Sequence, residues 1–315
     1  MRTLVTGGAG FIGSNLVDAL LARGDEVVVI DDLSTGRESN LDGARAQGAD
    51  LIKADIREAG QIAQIVADAA PEAIFHLAAQ IDVRKSVADP AADARINVEG
   101  TINVLEAARR AGVARFVNTS TGGAIYGDVD TIPSPESTPP APMAGYGTSK
   151  FCAEQYCGLY ARLHGLSTVT LRYGNVFGPR QDPLGEAGVI AIFCGKLMDG
   201  GRPTIYGDGR QTRDYTYVGD IVAANLAAAD RPDVGGPVNI GTGRETSVLD
   251  LVAILQQAGD RADFEPQFAD ARLGEIERSC LDVTRAREEL GWEAQTTLSD
   301  GMRATLDAAR VEMAK

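Results

Sequence analysis

Residues 6–14 read TGGAGFIGS. Gly7, Gly10 and Gly13 stand three apart, just after the apolar run TLV and just before NLVDALLARG. The first run reads as a strand and the second as an amphipathic helix. Glycines at this spacing let the backbone turn tightly and let a diphosphate approach the N-terminus of that helix. A tight turn alone would need similar residues, so the context has to decide. EVVVIDD follows the helix and ends in Asp31 and Asp32, the first of them eighteen residues beyond Gly13. A carboxylate at the end of a second strand can hold the adenosine ribose hydroxyls of NAD, and it would repel the extra phosphate of NADP. Arg37 lies close by and pulls the other way.

Beyond this stretch, DLIKAD, AIFHLAA, RFVNTS and TVTLRYG read as further strands. NLVDALLARG, QIAQIVADAA, NVEGTINVLEAARRAG and GYGTSKFCAEQYCGLYARLHG read as helices between them. Strands alternating with helices predict an α/β protein built on a doubly wound parallel sheet. After residue 173 the pattern loosens. We expect a cofactor-binding unit over 1–173, with part of 212–243 returning to it. The rest of 174–315 then forms a smaller, interleaved lobe for substrate. The proline-rich TIPSPESTPPAPMAG is too polar for a core and is expected to be a surface loop or a lid.

The chain has 315 residues, 44% apolar and 23% charged, which is ample for a large core. A formal net charge of −14 argues against a broad electrostatic grip on nucleic acid or on an anionic membrane. A few local arginines can still hold a phosphate. Cys152, Cys157, Cys194 and Cys280 match no zinc spacing and the chain has two histidines, so no metal site is expected. The segment ahead of the glycines is too short for a signal peptide, and no apolar run is long enough to span a membrane. A reduced, cytoplasmic protein is expected.

GYGTSK, residues 145–150, places Tyr146 and Lys150 four apart, on one face of a helix if a helix starts there. A tyrosine ordinarily titrates near ~10. An adjacent ammonium favours the phenolate, so the pair is suited to exchanging a proton with a substrate hydroxyl.

TGGAGFIG, the Asp31 strand end, KADI, FHLAAQ, NVEGT, STGGAIYG, YGTSK and LRYGNVFGPRQ together resemble the extended short-chain dehydrogenase/reductase family. Within it the chain is most similar to the nucleotide-sugar epimerases, and the likeness runs on through GDGRQTRDYTYV to RLGE. The resemblance implies a Rossmann-like fold, NAD, and a proton-transfer centre of Tyr146, Lys150 and Thr121, with Ser120 as the alternative hydroxyl. It implies that Gly7, Gly10, Phe11, Ile12 and Gly13 cradle the diphosphate. Asp31, Asp32, Leu33, Ser34, Thr35 and Gly36 would surround the ribose, and Asp55 and Ile56 the adenine. Leu77, Ala78 and Ala79 would pass beside the cofactor. Asn97 would make a polar contact beneath it, or else cap the following helix. Tyr173 would neighbour the nicotinamide amide, or else be a core aromatic. For the sugar nucleotide the resemblance implies Asn175, Val189, Tyr206, Arg213, Arg272 and Glu275, besides Thr121 and Tyr146. It also implies a homodimer joined through the helices near Asn97 and Tyr146, with Val104, Leu105, Phe151 and Leu159 as candidate contacts.

The reaction implied is epimerisation at carbon 4 of a UDP-sugar, most simply between UDP-glucose and UDP-galactose, through a transient 4-keto sugar. Related dehydratases carry an acid pair after the threonine; Gly122, Gly123 and Ala124 stand here and offer no proton-transfer group. Two positions depart from the best-known epimerases. Ile81 replaces a lysine, and Ser279 falls where hexose-restricted members carry a tyrosine, which leaves room for an N-acetyl group. UDP-glucuronate or UDP-N-acetylhexosamine epimerisation, and a non-catalytic NAD-sensing role, are the alternatives.

Overall fold

The computed structural model describes residues 1–183, 188–271 and 276–313. The first six strands in chain order are β1 (Arg2–Thr6), β2 (Glu26–Asp31), β3 (Asp50–Lys53), β4 (Ala73–His76), β5 (Arg115–Thr121) and β6 (Ser167–Tyr173). A later strand, Gly236–Ile240, joins them in one seven-stranded sheet, in the order Gly236–Ile240, β6, β5, β4, β1, β2, β3. Every neighbouring pair is parallel. The order reverses between β1 and β4, which opens a crevice at the C-terminal ends of those two strands. The architecture is a doubly wound, Rossmann-like α/β fold.

Both faces of the sheet are covered, so its strands read as continuous apolar runs rather than alternating ones. On one face, α1 (Phe11–Ala22) packs against the helix Val218–Ala229 over Val5, Val29, Val117 and Ile221. On the other, Ala59–Ala69, Gly100–Ala111 and Gly145–His164 enclose Leu4, Ile74, Phe116 and Val104. A separate core of Phe177, Phe193, Ile205, Leu251, Phe264 and Leu306 builds the smaller lobe.

Val104 and Leu105 are fully buried in the core on this second face of the sheet, each 0% exposed. They are therefore unavailable to a partner, contrary to the expectation that they serve a dimer contact. Their apolar character is used up by the helix Ala59–Ala69 packed against them. Phe151 and Leu159 are half-buried.

A buried network braces the sheet behind the site. Arg172 donates to both oxygens of Glu154, at 2.9 and 2.6 Å, and to the Tyr126 hydroxyl at 2.8 Å. Tyr126 in turn donates to Asn239 Oδ1 at 2.7 Å. The proline-rich segment is stitched to this region. Ser134 pairs with Leu281, and Glu136 accepts the Asn239 N–H at 2.8 Å.

Candidate active site

β1 hands the chain directly to the glycine loop. Gly7 has φ +70°, and a Cβ there would lie 2.7 Å from the Ala78 nitrogen. A Cβ on Gly13 would lie 2.1 Å from the Gly7 carbonyl oxygen. Loop, helix and β4 end thus pack backbone against backbone, which side chains would forbid. α1 starts at Phe11 with Gly10 as its N-cap and no side-chain cap. The first-turn N–H groups of Phe11 and Ile12 therefore have no intrahelical acceptor, and they suit a diphosphate.

Asp31 closes the other side of the cradle. Its carboxylate accepts the N–H groups of Ala9 and Leu33, each at 2.9 Å. Burial pushes its pKa up, and those two donors oppose the shift. A Cβ on Gly36 would come within 2.8 Å of Asp31 Oδ1, so glycine leaves the carboxylate approachable. Asp32 is exposed and holds the N–H and hydroxyl of Ser34, at 2.9 and 2.6 Å; Thr35 is exposed beside it. Arg37 is ion-paired with Asp182 at 2.6 Å. These groups fit a dinucleotide with free ribose hydroxyls.

Farther along the crevice, Asp55 is ion-paired with Arg57, and Ile56 is buried against Gly100. The β4 end is pinned by Thr6. Its carbonyl accepts the Leu77 N–H at 3.1 Å and its hydroxyl the Ala78 N–H at 3.2 Å. Ala79 is half-buried and Ile81 exposed. Asn97 clamps the same loop, accepting the Gln80 N–H at 2.8 Å and donating to the Gln80 carbonyl at 2.9 Å. Asn97 lies inside a π-helical turn, Arg95–Glu99, that runs straight into Gly100–Ala111, so it is not an N-cap.

The helix Gly145–His164 carries Tyr146 and Lys150 one turn apart. Thr121, the last residue of β5, lies beside the Tyr146 phenol and favours its ionised form. Ser120 points elsewhere: its hydroxyl is buried without a partner among the described residues. Lys150 Nζ donates to the Thr119 carbonyl at 3.0 Å. Burial raises the Tyr146 pKa to about 12, Asp93 adds to the rise, and Thr121 opposes it. Burial draws Lys150 down to about 8. Contrary to the expectation that the lysine lowers the tyrosine pKa, Lys150 is not among the groups that move it in this state, and desolvation sets the direction. Tyr173 is a core residue, its hydroxyl shared between Asn225 and Thr119 at 2.7 and 3.2 Å.

A cavity of about 230 Å³ opens beside Tyr146, lined also by Asn175, Phe177, Gln181, Ile190 and Tyr215. The last four were not singled out from sequence, although GPRQ and RDYTY contain two of them. Gly123 faces Asn175: a Cβ there would lie 3.1 Å from its Oδ1, and one on Gly122 would strike Leu281 at 2.5 Å. Val189 begins the helix Val189–Met198 next to Ile190. Tyr206 and Arg213 lie in the smaller lobe outside this lining. Tyr206 is on the strand Thr204–Tyr206 and 37% exposed. Arg213 donates to the Thr212 carbonyl at 2.8 Å. Arg272 and Glu275 lie outside the described residues.

A glycine cradle at the switch point of a doubly wound parallel sheet defines the class as a dinucleotide-binding protein. The chain belongs to the NAD dependent epimerase/dehydratase family, whose model matches residues 3–241. It is 48% identical over 311 residues to the UDP-glucose 4-epimerase of Mycolicibacterium smegmatis, covering 98% of this chain and 99% of that one. It is also similar to the crystal structure of UDP-glucose 4-epimerase with UDP-glucose from Thermotoga maritima. The TM-score there is 0.94 at 43% identity, covering 99% of this chain and 100% of that one. The UDP-glucose 4-epimerase of Thermus thermophilus, in complex with NAD, gives 0.91 at 41% identity, covering 98% and 99%.

Proposed function

We propose that this protein is an NAD-dependent epimerase acting at carbon 4 of a UDP-sugar, interconverting UDP-glucose and UDP-galactose. The observation that carries the reading is Tyr146, with Thr121 beside its phenol and Lys150 one turn along the same helix, lining a cavity that Asn175 also lines. The relatives above support the substrate class. The residues of the glycine loop, Asp31 and Lys150 would hold NAD, which when bound supplies a hydride acceptor and donor that is regenerated in each cycle. Thr121 orients the carbon-4 hydroxyl, and Tyr146 takes its proton and later returns it. Lys150 holds a positive charge against the pair. Gly122, Gly123 and Ala124 provide no second acid or base, so elimination of water is not served. The packing of Leu281 on Gly122 leaves no space for an acid there without rearrangement.

The same reading assigns residues 1–173, with Val218–Ala229 and Gly236–Ile240, to the cofactor, and the rest of 174–315 to the sugar nucleotide. Tyr206, Arg213, Arg272 and Glu275 are its proposed contacts in the smaller lobe. It includes a homodimer through the outer side of Gly145–His164, where Leu159 is half-buried and Leu163 is 66% exposed. A monomeric mass at micromolar concentration would count against that assembly. No helix among the described residues is long and apolar enough to cross a membrane. Incubation of the purified protein with UDP-galactose, with sugar configuration read by NMR, tests the activity. Absence of UDP-glucose from a folded, NAD-loaded sample would overturn it.

A further inference from the structure

Asp93 sits on the short helix Pro90–Ala94 and is 1% exposed. Its Oδ1 accepts from Gln80 Nε2 at 2.8 Å and from Asn97 Nδ2 at 3.1 Å. Its Oδ2 is buried with no partner among the described residues. A carboxylate is costly to bury unless an opposite charge or further donors answer it.

Asp93's helix packs against Gly145–His164, which carries Tyr146 and Lys150. The other ionisable groups of its surroundings are engaged or turned outward. Arg84, Lys85, Arg95 and Glu99, on the adjoining helical turns, are exposed. Asp82 is buried but accepts the Lys85 N–H. On the far side of Lys150, Glu154 is held by Arg172, while burial keeps Cys157 protonated and His76 neutral.

We propose that Asp93 is the buried counter-charge of Lys150, its carboxylate answering the ammonium across the packing of its helix on Gly145–His164. It is a positioning residue that acts through this pair and not on the reacting atoms. The proposal rests on the reading of Tyr146 and Lys150 as the proton-handling pair. Electrostatics agree in direction. Asp93 leads the charges that resist the downward pull of burial on Lys150, and it follows burial in raising Tyr146.

Asp93→Asn keeps an acceptor at Oδ1 and the shape of the side chain but removes the charge. Gln80→Leu cuts an Oδ1 bond and keeps the charge. The chain has five lysines, so protein carrying [ε-13C]lysine, purified with its bound cofactor, gives few signals to follow through a pH titration. Lys150→Arg assigns the signal of interest. The midpoint of Lys150 should fall by about one pH unit in Asp93→Asn, the lower end of the shift that a close opposite charge produces. It should stay near wild type in Gln80→Leu, and the acid limb of the pH–turnover profile should move to lower pH in Asp93→Asn. An unmoved Lys150 midpoint in folded Asp93→Asn, or equal shifts in both variants, would overturn the proposal. If Asp93→Asn does not fold, Asp93→Ser is read by the same criteria. Turnover retained in Tyr146→Phe would dismiss the catalytic reading, while the lysine titration still decides the counter-charge.

Discussion

Lys150 donates from Nζ to the carbonyl oxygen of Thr119, 3.0 Å away. The bond ties the helix bearing Tyr146 to β5, two residues short of Thr121, so the phenol and the threonine hydroxyl are held in register by a third group. Tyr146→Phe keeps the ring and this tie but removes the proton carrier. Turnover should fall by ~10²–10⁴-fold, the usual contribution of a placed acid or base, with a melting temperature close to wild type. Near-normal turnover in the folded variant would take the phenol out of the mechanism.

Asp31 joins the glycine loop to the turn after β2 by accepting from Ala9 and Leu33. Denatured wild-type protein should release NAD or NADH, and Asp31→Ala should retain less of it after the same purification. Chromatography of the released nucleotide checks this. Recovery of mainly NADP would contradict the role given to the carboxylate.

His76 lies between two threonines. Thr101 gives its hydroxyl proton to the Asn97 carbonyl at 2.7 Å, so Nε2 of His76 donates to Thr101 at 3.0 Å and Nδ1 accepts from Thr6 at 2.8 Å. That neutral tautomer fills the site, and burial, then the Lys150 charge, depress the pKa from 6.5 to about 3. Between those values the unfolded chain binds more protons than the folded one. Stability contributed by neutral His76 is therefore complete above the upper value and is lost as pH falls toward the lower, by up to ~1.4 kcal/mol per pH unit. Urea midpoints across this window should fall less steeply in His76→Gln than in wild type. Equal slopes would assign the acid sensitivity to other groups.

Glu154 and Arg172 form an ion pair with both side chains 3% exposed. Glu154→Gln leaves the guanidinium without its counter-charge and should cost ~3–5 kcal/mol of stability. The double change Glu154→Leu with Arg172→Met removes both charges and should recover much of that loss. Chemical denaturation of the three proteins decides it; a loss in the double variant equal to that in Glu154→Gln would mean that packing, not charge, sets the cost.

Ser279 donates its backbone N–H to the Thr212 carbonyl, next to Arg213. The resemblance places a tyrosine here in hexose-restricted epimerases, so the wild type should turn over UDP-N-acetylglucosamine as well as UDP-glucose. Ser279→Tyr should suppress the acetylated sugar selectively, since overpacking costs ~1–3 kcal/mol and each ~1.4 kcal/mol is tenfold in rate. Equal loss on both sugars, or no wild-type activity on the acetylated one, would show that this position is not the gate.

Much of the molecule was legible because local pattern and tertiary use agree. The TGGAGFIGS turn, the Asp31 strand end and the Tyr146–Lys150 helix each announce themselves within a few residues. What stayed hidden depends on partners distant in sequence. Val104 and Leu105 look like a surplus apolar face until Ala59–Ala69 is seen to cover them. Asp93 reads as one more acidic residue in ADPAADARINVEGT until its burial is known. The tyrosine pKa, too, is set by desolvation that no spacing rule reports. Tyr173 is likewise held by Asn225 and Thr119, partners 52 and 54 residues away in sequence.

The strand Gly236–Ile240 pairs along β6 from Val169 to Tyr173. A nascent chain must therefore release residue 240 from the ribosome before the sheet of its first lobe is complete. Until then β6 presents an apolar edge with open N–H and carbonyl groups, the kind of template that recruits other chains. Premature termination anywhere between 174 and 235 would leave that edge permanently bare, so truncated products should be sticky. A nick in the same interval, made after folding, would leave two fragments held together by the finished sheet.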